Sequence, residues 1–239
     1  MRKEGKRKMV TEEVLKSILN ELFSNQFEEF FNNASQSGYI TKSGKFITLP
    51  KKEVINGYEC IISAGCSKVT LIIDSDKEYV YKMPISGEVM EDEFENYPNN
   101  IECENLIYRD SSEDMKTILL ENEFLFNYNS VPIYRQQKVD IIQGDDWDYK
   151  TSLVQRMSEE DKKEANQLYQ KYWNTMRGRT YTFMCKNFFF AILAKFNFDC
   201  EYLIEELMAI DDLHTHNLGF INDEPVIFDY AGFLTEGDI

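Results

Sequence analysis

The hydrophobic period switches between two and a helical spacing along this chain, and that switching restricts the fold more than any single residue does. Between residues 45 and 85 apolar and β-branched side chains recur at a spacing of two: Phe46-Ile47-Thr48-Leu49, Glu59-Cys60-Ile61-Ile62, Val69-Thr70-Leu71-Ile72-Ile73 and Tyr79-Val80-Tyr81-Lys82-Met83. Such residues suit pleated strands, where successive side chains point to opposite faces. After Ser158 the period becomes helical. Ser158-Glu159-Glu160-Asp161 reads as a capped start, and helices are expected over 159–177, 180–196 and 199–210. A strand-rich half followed by a helical half is an α+β chain.

The remaining segments fill in that outline. Thr11 before Glu12 and Glu13 caps an N-terminal helix, with Val14, Ile18, Leu22 and Phe27 at helical spacing to about residue 31 and Gly38 closing the segment. Asp74-Ser75-Asp76-Lys77 is a hairpin turn. Residues 86–114 read as an irregular acidic insertion containing Pro98-Asn99-Asn100, followed by a helix over 114–128. Strands are expected at 133–142 and 151–157, joined across Gly144-Asp145-Asp146. Two short strands near 219–221 and 226–228 end the chain around an Asn222-Asp223-Glu224-Pro225 turn. The expected organisation is a basic arm and helix over 1–40, a strand-rich segment over 41–157 carrying the insertion 86–114, and a small helical segment over 158–239.

Charge and cysteine usage exclude several classes. A formal net charge of −16 argues against a general nucleic-acid binder, because phosphate backbones repel such a surface. The charge is uneven: Arg2, Lys3, Lys6, Arg7 and Lys8 crowd the start, whereas 86–114 holds ten carboxylates against Arg109 alone. Cys60, Cys66, Cys103, Cys185 and Cys200 are scattered and odd in number, which fits a reducing cytoplasm better than a disulfide framework or a zinc site. The start lacks a signal peptide's apolar core, and the apolar run Phe188-Phe189-Phe190-Ala191-Ile192-Leu193-Ala194 is too short to span a bilayer. A soluble, cytoplasmic protein without a membrane partner is expected.

The chemistry concentrates late in the chain. Ile210-Asp211-Asp212-Leu213-His214-Thr215-His216-Asn217 is followed by Ile227-Phe228-Asp229-Tyr230. An aspartate five residues before an asparagine, then a second aspartate ending a β-type run, is the layout of a phosphoryl-transfer site. Asp212 would position the attacking hydroxyl, while Asn217 and Asp229 would hold magnesium. Asp212, His214 and His216 lie on an irregular loop without a third strong ligand type, so a hard, oxygen-bound cation is expected there rather than a transition metal. Upstream, Ser63-Ala64-Gly65-Cys66-Ser67-Lys68-Val69 lies between two strands, where backbone N–H groups can cradle phosphates. Lys82 shares a strand face with Val80 and Pro84, and a lysine so flanked needs an anion.

Taken in order, these parts resemble the protein-kinase-like family from about residue 60 onward: glycine-containing turn, strand lysine, helical glutamate, hinge, helical lobe, catalytic loop, metal aspartate. The reduced glycine loop and Asp212-Leu213-His214 with Asn217 are similar to aminoglycoside phosphotransferases. Ile210, in the slot where most kinases have histidine, resembles serine/threonine kinases encoded by podophages. Asp229-Tyr230-Ala231-Gly232 stands where most kinases have Asp-Phe-Gly, which bears on activation-loop switching more than on metal binding.

The resemblance implies a bilobed fold, minimal and truncated after the metal aspartate, with an extra N-terminal helix. It implies ATP and Mg2+ as cofactors and a protein substrate, host proteins if the chain is phage-encoded, with a partner chain or self-association completing the helical lobe. It gives Gly65, Ser67, Lys68, Lys82, Gln155 and Met157 as cofactor-binding residues, and Asp212, Lys82 and a helical glutamate as catalytic ones. That glutamate is expected at Glu123 on the 114–128 helix, with Glu121 as the alternative. Two other functions stay open: a small-molecule kinase acting on a cationic substrate, and a pseudokinase or acidic interaction protein that sequesters a partner.

Overall fold

The computed structural model describes residues 10–22, 38–40, 46–65, 68–84, 99–141, 151–176, 184–210, 213 and 215–230. They divide into two compact units, Met1–Glu102 with Asn122–Lys138 and Cys103–Glu121 with Val139–Ile239. The fold is mixed α+β, and no helix among the described residues is long and apolar enough to cross a membrane.

The first unit is built on a six-stranded antiparallel sheet. After a small ribbon of β1 (Gly38–Ile40) and β2 (Phe46–Thr48) come β3 (Lys51–Ile55), β4 (Tyr58–Ala64), β5 (Lys68–Ile73) and β6 (Tyr79–Pro84). With β7 (Glu123–Tyr128) and β8 (Val131–Gln137) they form the order β3-β4-β5-β6-β8-β7. Tight turns set the register. Asn56 with Gly57 and Asn129 with Ser130 all have positive φ, the backbone of a two-residue turn whose twist matches its flanking strands. The register places Cys60, Ile62, Val69, Leu71, Ile73, Tyr81, Met83 and Ile133 on one face.

Helix α1 (Glu12–Leu22) covers that face. Thr11 caps it, its hydroxyl accepting from the Val14 N–H at 3.4 Å. Its apolar stripe of Leu15, Ile18, Leu19 and Leu22 is buried, worth about 6–12 kcal/mol of transfer free energy before chain entropy. Asn56 Nδ2 donates to the Ser17 carbonyl at 2.9 Å, which fixes the helix to the β3–β4 turn. The continuation of this helix expected to residue 31 lies outside the described residues.

Two expectations fail between β6 and β7. The segment read as irregular contains a helix, α2 (Asn100–Asp110), whose start is marked by the Asn99 side chain accepting from the Glu102 N–H at 3.0 Å. Pro98-Asn99 is thus a helix entry rather than loop punctuation. The helix expected over 114–128 is one turn only, α3 (Glu113–Lys116), capped by Ser112 and ending at Thr117. Beyond it the chain extends to pair with a distant strand and then forms β7. Tertiary pairing outweighs the helix propensity of Leu119, Leu120 and Glu121.

The second unit packs around its helices. α4 (Ser152–Arg156), α5 (Glu159–Met176), α6 (Lys186–Lys195) and α7 (Glu201–Met208) follow in order. Residues 151–157, expected as a strand, are α4 with its cap: the Thr151 hydroxyl accepts from the Val154 N–H at 3.3 Å. α6 is apolar on every side, with Phe188 through Leu193 all buried, so it forms the centre of the core. A small sheet of β9 (Asp140–Ile141), β10 (Leu218–Ile221) and β11 (Glu224–Ile227) completes the unit in the order β11-β10-β9. Asn222 and Asp223 make its hairpin turn, both at positive φ.

Candidate functional site

Lys82 lies in the interior of the first unit's sheet, between β5 and β8, opposite Thr70 and Tyr134. By the alternation of the strands, Lys68, Thr70, Ile72, Val80, Lys82, Tyr134 and Gln136 share the face away from α1. Lys82 is 5 % and Lys68 3 % exposed. A lysine held this far from water keeps its charge only beside an anion or polar partner, since burial disfavours the bare ammonium. The turn that precedes β5 is closed by the Gly65 N–H donating to the Lys68 carbonyl at 2.8 Å.

The same face carries a groove of about 330 Å³, to which Lys52, Val54, Glu59, Ile61, Ile72 and Asp74 contribute. Ile61 and Ile72 are opposite each other across β4 and β5, one side-chain step along the sheet from Thr70 and Lys82. The apolar pair Ile61 and Ile72 therefore adjoins two buried lysines on the same face.

The second unit holds a separate set of candidate residues. Asn217 ends a 3-10 turn (Thr215–Asn217) directly before β10, and Asp229 follows β11 by two residues. The hairpin brings them together: Asn217 Nδ2 donates to the Asp229 carbonyl at 2.7 Å, and the Phe228 N–H donates to the Asn217 carbonyl at 2.9 Å. That bond uses one of the amide's two N–H donors and fixes which branch of the amide is the nitrogen and which is the acceptor Oδ1. Asp229 has φ +57°, the left-handed region that a non-glycine residue holds only when its surroundings over-determine it. Tyr230 beside it is 1 % exposed, and burial, with the Glu104 carboxylate nearby, pushes its phenol above the ordinary range, so the hydroxyl stays a neutral donor.

An amide oxygen and a carboxylate on adjoining backbone fit a hard divalent cation such as magnesium, which takes one or two protein oxygens and fills its remaining positions from phosphates and water. Among the described residues no three of His, Cys, Asp and Glu gather as a transition-metal set would.

Four expected positions are corrected. Glu123 is on strand β7, not a helix, and its carboxylate accepts from Nε and Nη2 of Arg135, at 2.7 and 2.8 Å. Glu123 and Arg135 lie on the α1 face with Tyr81, so Glu123 points away from the face that carries Lys82. Gln155 is exposed on α4, and Met157 is buried in the second unit's core, 8 % exposed; neither ends a strand. Glu121 is exposed and lies between α3 and β7, outside any helix. Ser67 and Asp212 lie outside the described residues.

Sequence reasoning passed over Glu104. It sits on α2, fully buried at 0 % exposure, in the stretch dismissed as an acidic loop. The available signal was the spacing of Ile101, Cys103 and Ile107 behind an Asn99 cap, masked by the surrounding carboxylates. Comparison of the chain with protein-family models, with curated proteins and with solved structures gives no match.

Proposed function

We propose that this chain is an ATP- and Mg2+-dependent phosphotransferase with a bilobed protein-kinase-like fold, of the phage-encoded type, that phosphorylates serine or threonine hydroxyls. The observation that carries this reading is the Asn217–Asp229 pair, joined side chain to backbone at the mouth of the β10–β11 hairpin, downstream of a strand lysine buried in a sheet. Lys82 and Lys68 neutralise phosphate charge. The Ile61–Ile72 pair receives the nucleobase.

Asn217 and Asp229 hold the magnesium ion, which when bound neutralises charge on the phosphate oxygens. Asp212 orients the acceptor. The hydroxyl oxygen bonds to the γ-phosphorus as the bond from that phosphorus to the β–γ bridging oxygen breaks. ADP leaves with that electron pair, and the hydroxyl proton passes to the Asp212 carboxylate.

The direct test is incubation with γ-labelled ATP and Mg2+, alone and with a cell lysate. Label is expected on protein serine or threonine, and Asp212→Asn is expected to abolish it while ATP binding persists. Absence of any label with the wild-type chain removes the proposal.

A second test separates phosphate binding from fold. Among the described residues, a Cβ at Gly65 would meet nothing nearer than the Lys68 carbonyl at 3.8 Å, and Gly65 has no positive φ. Gly65→Ala is therefore expected to keep its stability within about 0.5 kcal/mol. If phosphate oxygens approach this backbone, the added methyl weakens ATP binding by roughly tenfold, the worth of one displaced hydrogen bond. Unchanged ATP affinity would assign the turn a purely structural role.

A further inference from the structure

The backbone around Asp229 is held from two sides. On one, the hairpin fixes it through Asn217. On the other lies an extended strap, residues 118–120, which leaves α3 and runs alongside β11. The Ile227 N–H donates to the Ile118 carbonyl at 2.7 Å, and the Leu120 N–H donates to the Ile227 carbonyl at 2.9 Å, a parallel bridge centred on Leu119 and Ile227. The strap reaches one step further, since the Tyr230 hydroxyl donates to the Leu120 carbonyl at 3.1 Å.

The strap is itself anchored. Ile118 and Leu119 are 0 % and 3 % exposed in the helical core. Lys195 Nζ on α6 donates to the Thr117 carbonyl at 3.1 Å, and Ser112, which caps α3, donates to Glu206 on α7 at 2.6 Å. Asp229 thus sits between a hydrogen bond on its own carbonyl and one from its neighbour's side chain, in a conformation that costs about 1 kcal/mol or more to hold. Packing alone would be met by phenylalanine at 230. A tyrosine adds a bond whose acceptor is fixed to the core.

We infer that Tyr230 is a positioning residue: its hydroxyl, seated on the Leu120 carbonyl, keeps Asp229 in its left-handed conformation and so presents the carboxylate to the divalent cation. This rests on the metal role proposed above for Asp229. The strap is then a built part of the site, although it contributes no ligand.

The test measures Mn2+ binding by electron paramagnetic resonance in the presence of a non-hydrolysable ATP analogue, using the full chain. Tyr230→Phe removes only the hydroxyl. It is expected to weaken Mn2+ binding about 3- to 10-fold, the equivalent of one net hydrogen bond. Amide exchange at Leu120 and Phe228 should quicken, and kcat should fall while KM for ATP holds. Tyr169→Phe is the matched control. Its hydroxyl is also buried and donates to a backbone carbonyl, that of Met184 at 3.1 Å, yet belongs to α5. It should leave Mn2+ affinity unchanged. Equal effects of the two variants, or no effect of Tyr230→Phe while the wild type binds Mn2+, overturn the inference alone. A wild-type chain that binds no Mn2+ overturns the metal reading of Asp229 and this inference with it.

Discussion

Asp229→Asn is expected to fold as the wild type does and to lose about 10³-fold or more of its phosphotransfer rate, the scale of removing a principal electrostatic contact from a charged transition state. Asparagine is the informative choice because of the backbone. Asp229 occupies φ +57°, a region that asparagine and aspartate tolerate better than other side chains. Asp229→Ala would add strain of about 1–2 kcal/mol and confuse a folding defect with a chemical one. The bond from Asn217 Nδ2 goes to the Asp229 carbonyl, so it survives the exchange. What changes is the charge offered to the cation. The assays are Mg2+-dependent transfer of label from γ-labelled ATP and, beside it, the thermal midpoint without ligand. An unchanged midpoint with lost transfer supports the metal role. A variant that keeps more than roughly a tenth of the wild-type rate removes Asp229 from it.

How much of this was readable from sequence depends on the distance over which each interaction acts. The strands β4, β5, β6, β10 and β11 were readable because burial on one face enforces alternation, and their turns carry Asn, Asp and Gly. The helices α5, α6 and α7 were readable for the same local reason. Errors arose where local signals were true but incomplete. Ser112-Glu113-Asp114 does start a helix, yet nothing nearby announces that Ile118 to Leu120 will pair with Ile227, more than a hundred residues on. That pairing ends the helix, shifts Glu123 onto a strand, and gives its carboxylate to Arg135.

The site divides along the same line. Lys82, Asn217 and Asp229 stood out because their types and order suit one chemistry. Two neighbours of Tyr230 were invisible: the Leu120 carbonyl is a backbone atom, and Glu104 was hidden by the acidity of its own neighbourhood. Thr151 shows a third kind of failure. Ser152-Leu153-Val154 fits a strand by composition, but a threonine whose hydroxyl is buried on the Val154 N–H starts a helix instead.

The second large effect concerns nucleotide binding. Lys82→Met is expected to preserve the sheet, since methionine keeps a straight apolar stem between β5 and β8, and to weaken ATP binding about 10- to 150-fold. That range corresponds to one charge-assisted contact of about 1.5–3 kcal/mol. Arginine should not rescue it: a planar guanidinium has different reach and hydration, and the position is only 5 % exposed. Thermal denaturation with and without Mg-ATP reads the difference. At a nucleotide concentration about 100 times the wild-type Kd, binding stabilises the native state by about 2.7 kcal/mol, whereas a 100-fold weaker site leaves about 0.4 kcal/mol. Lys68→Met, on the same face at 3 % exposure, should move in the same direction. The pattern also separates the rival functions. An acidic protein that only sequesters a partner has no reason to gain stability from nucleotide, so a wild-type chain without a shift points to that role. A wild-type shift that Lys82→Met leaves untouched would mean that ATP binds elsewhere, and would detach the buried lysine from the chemistry proposed for it.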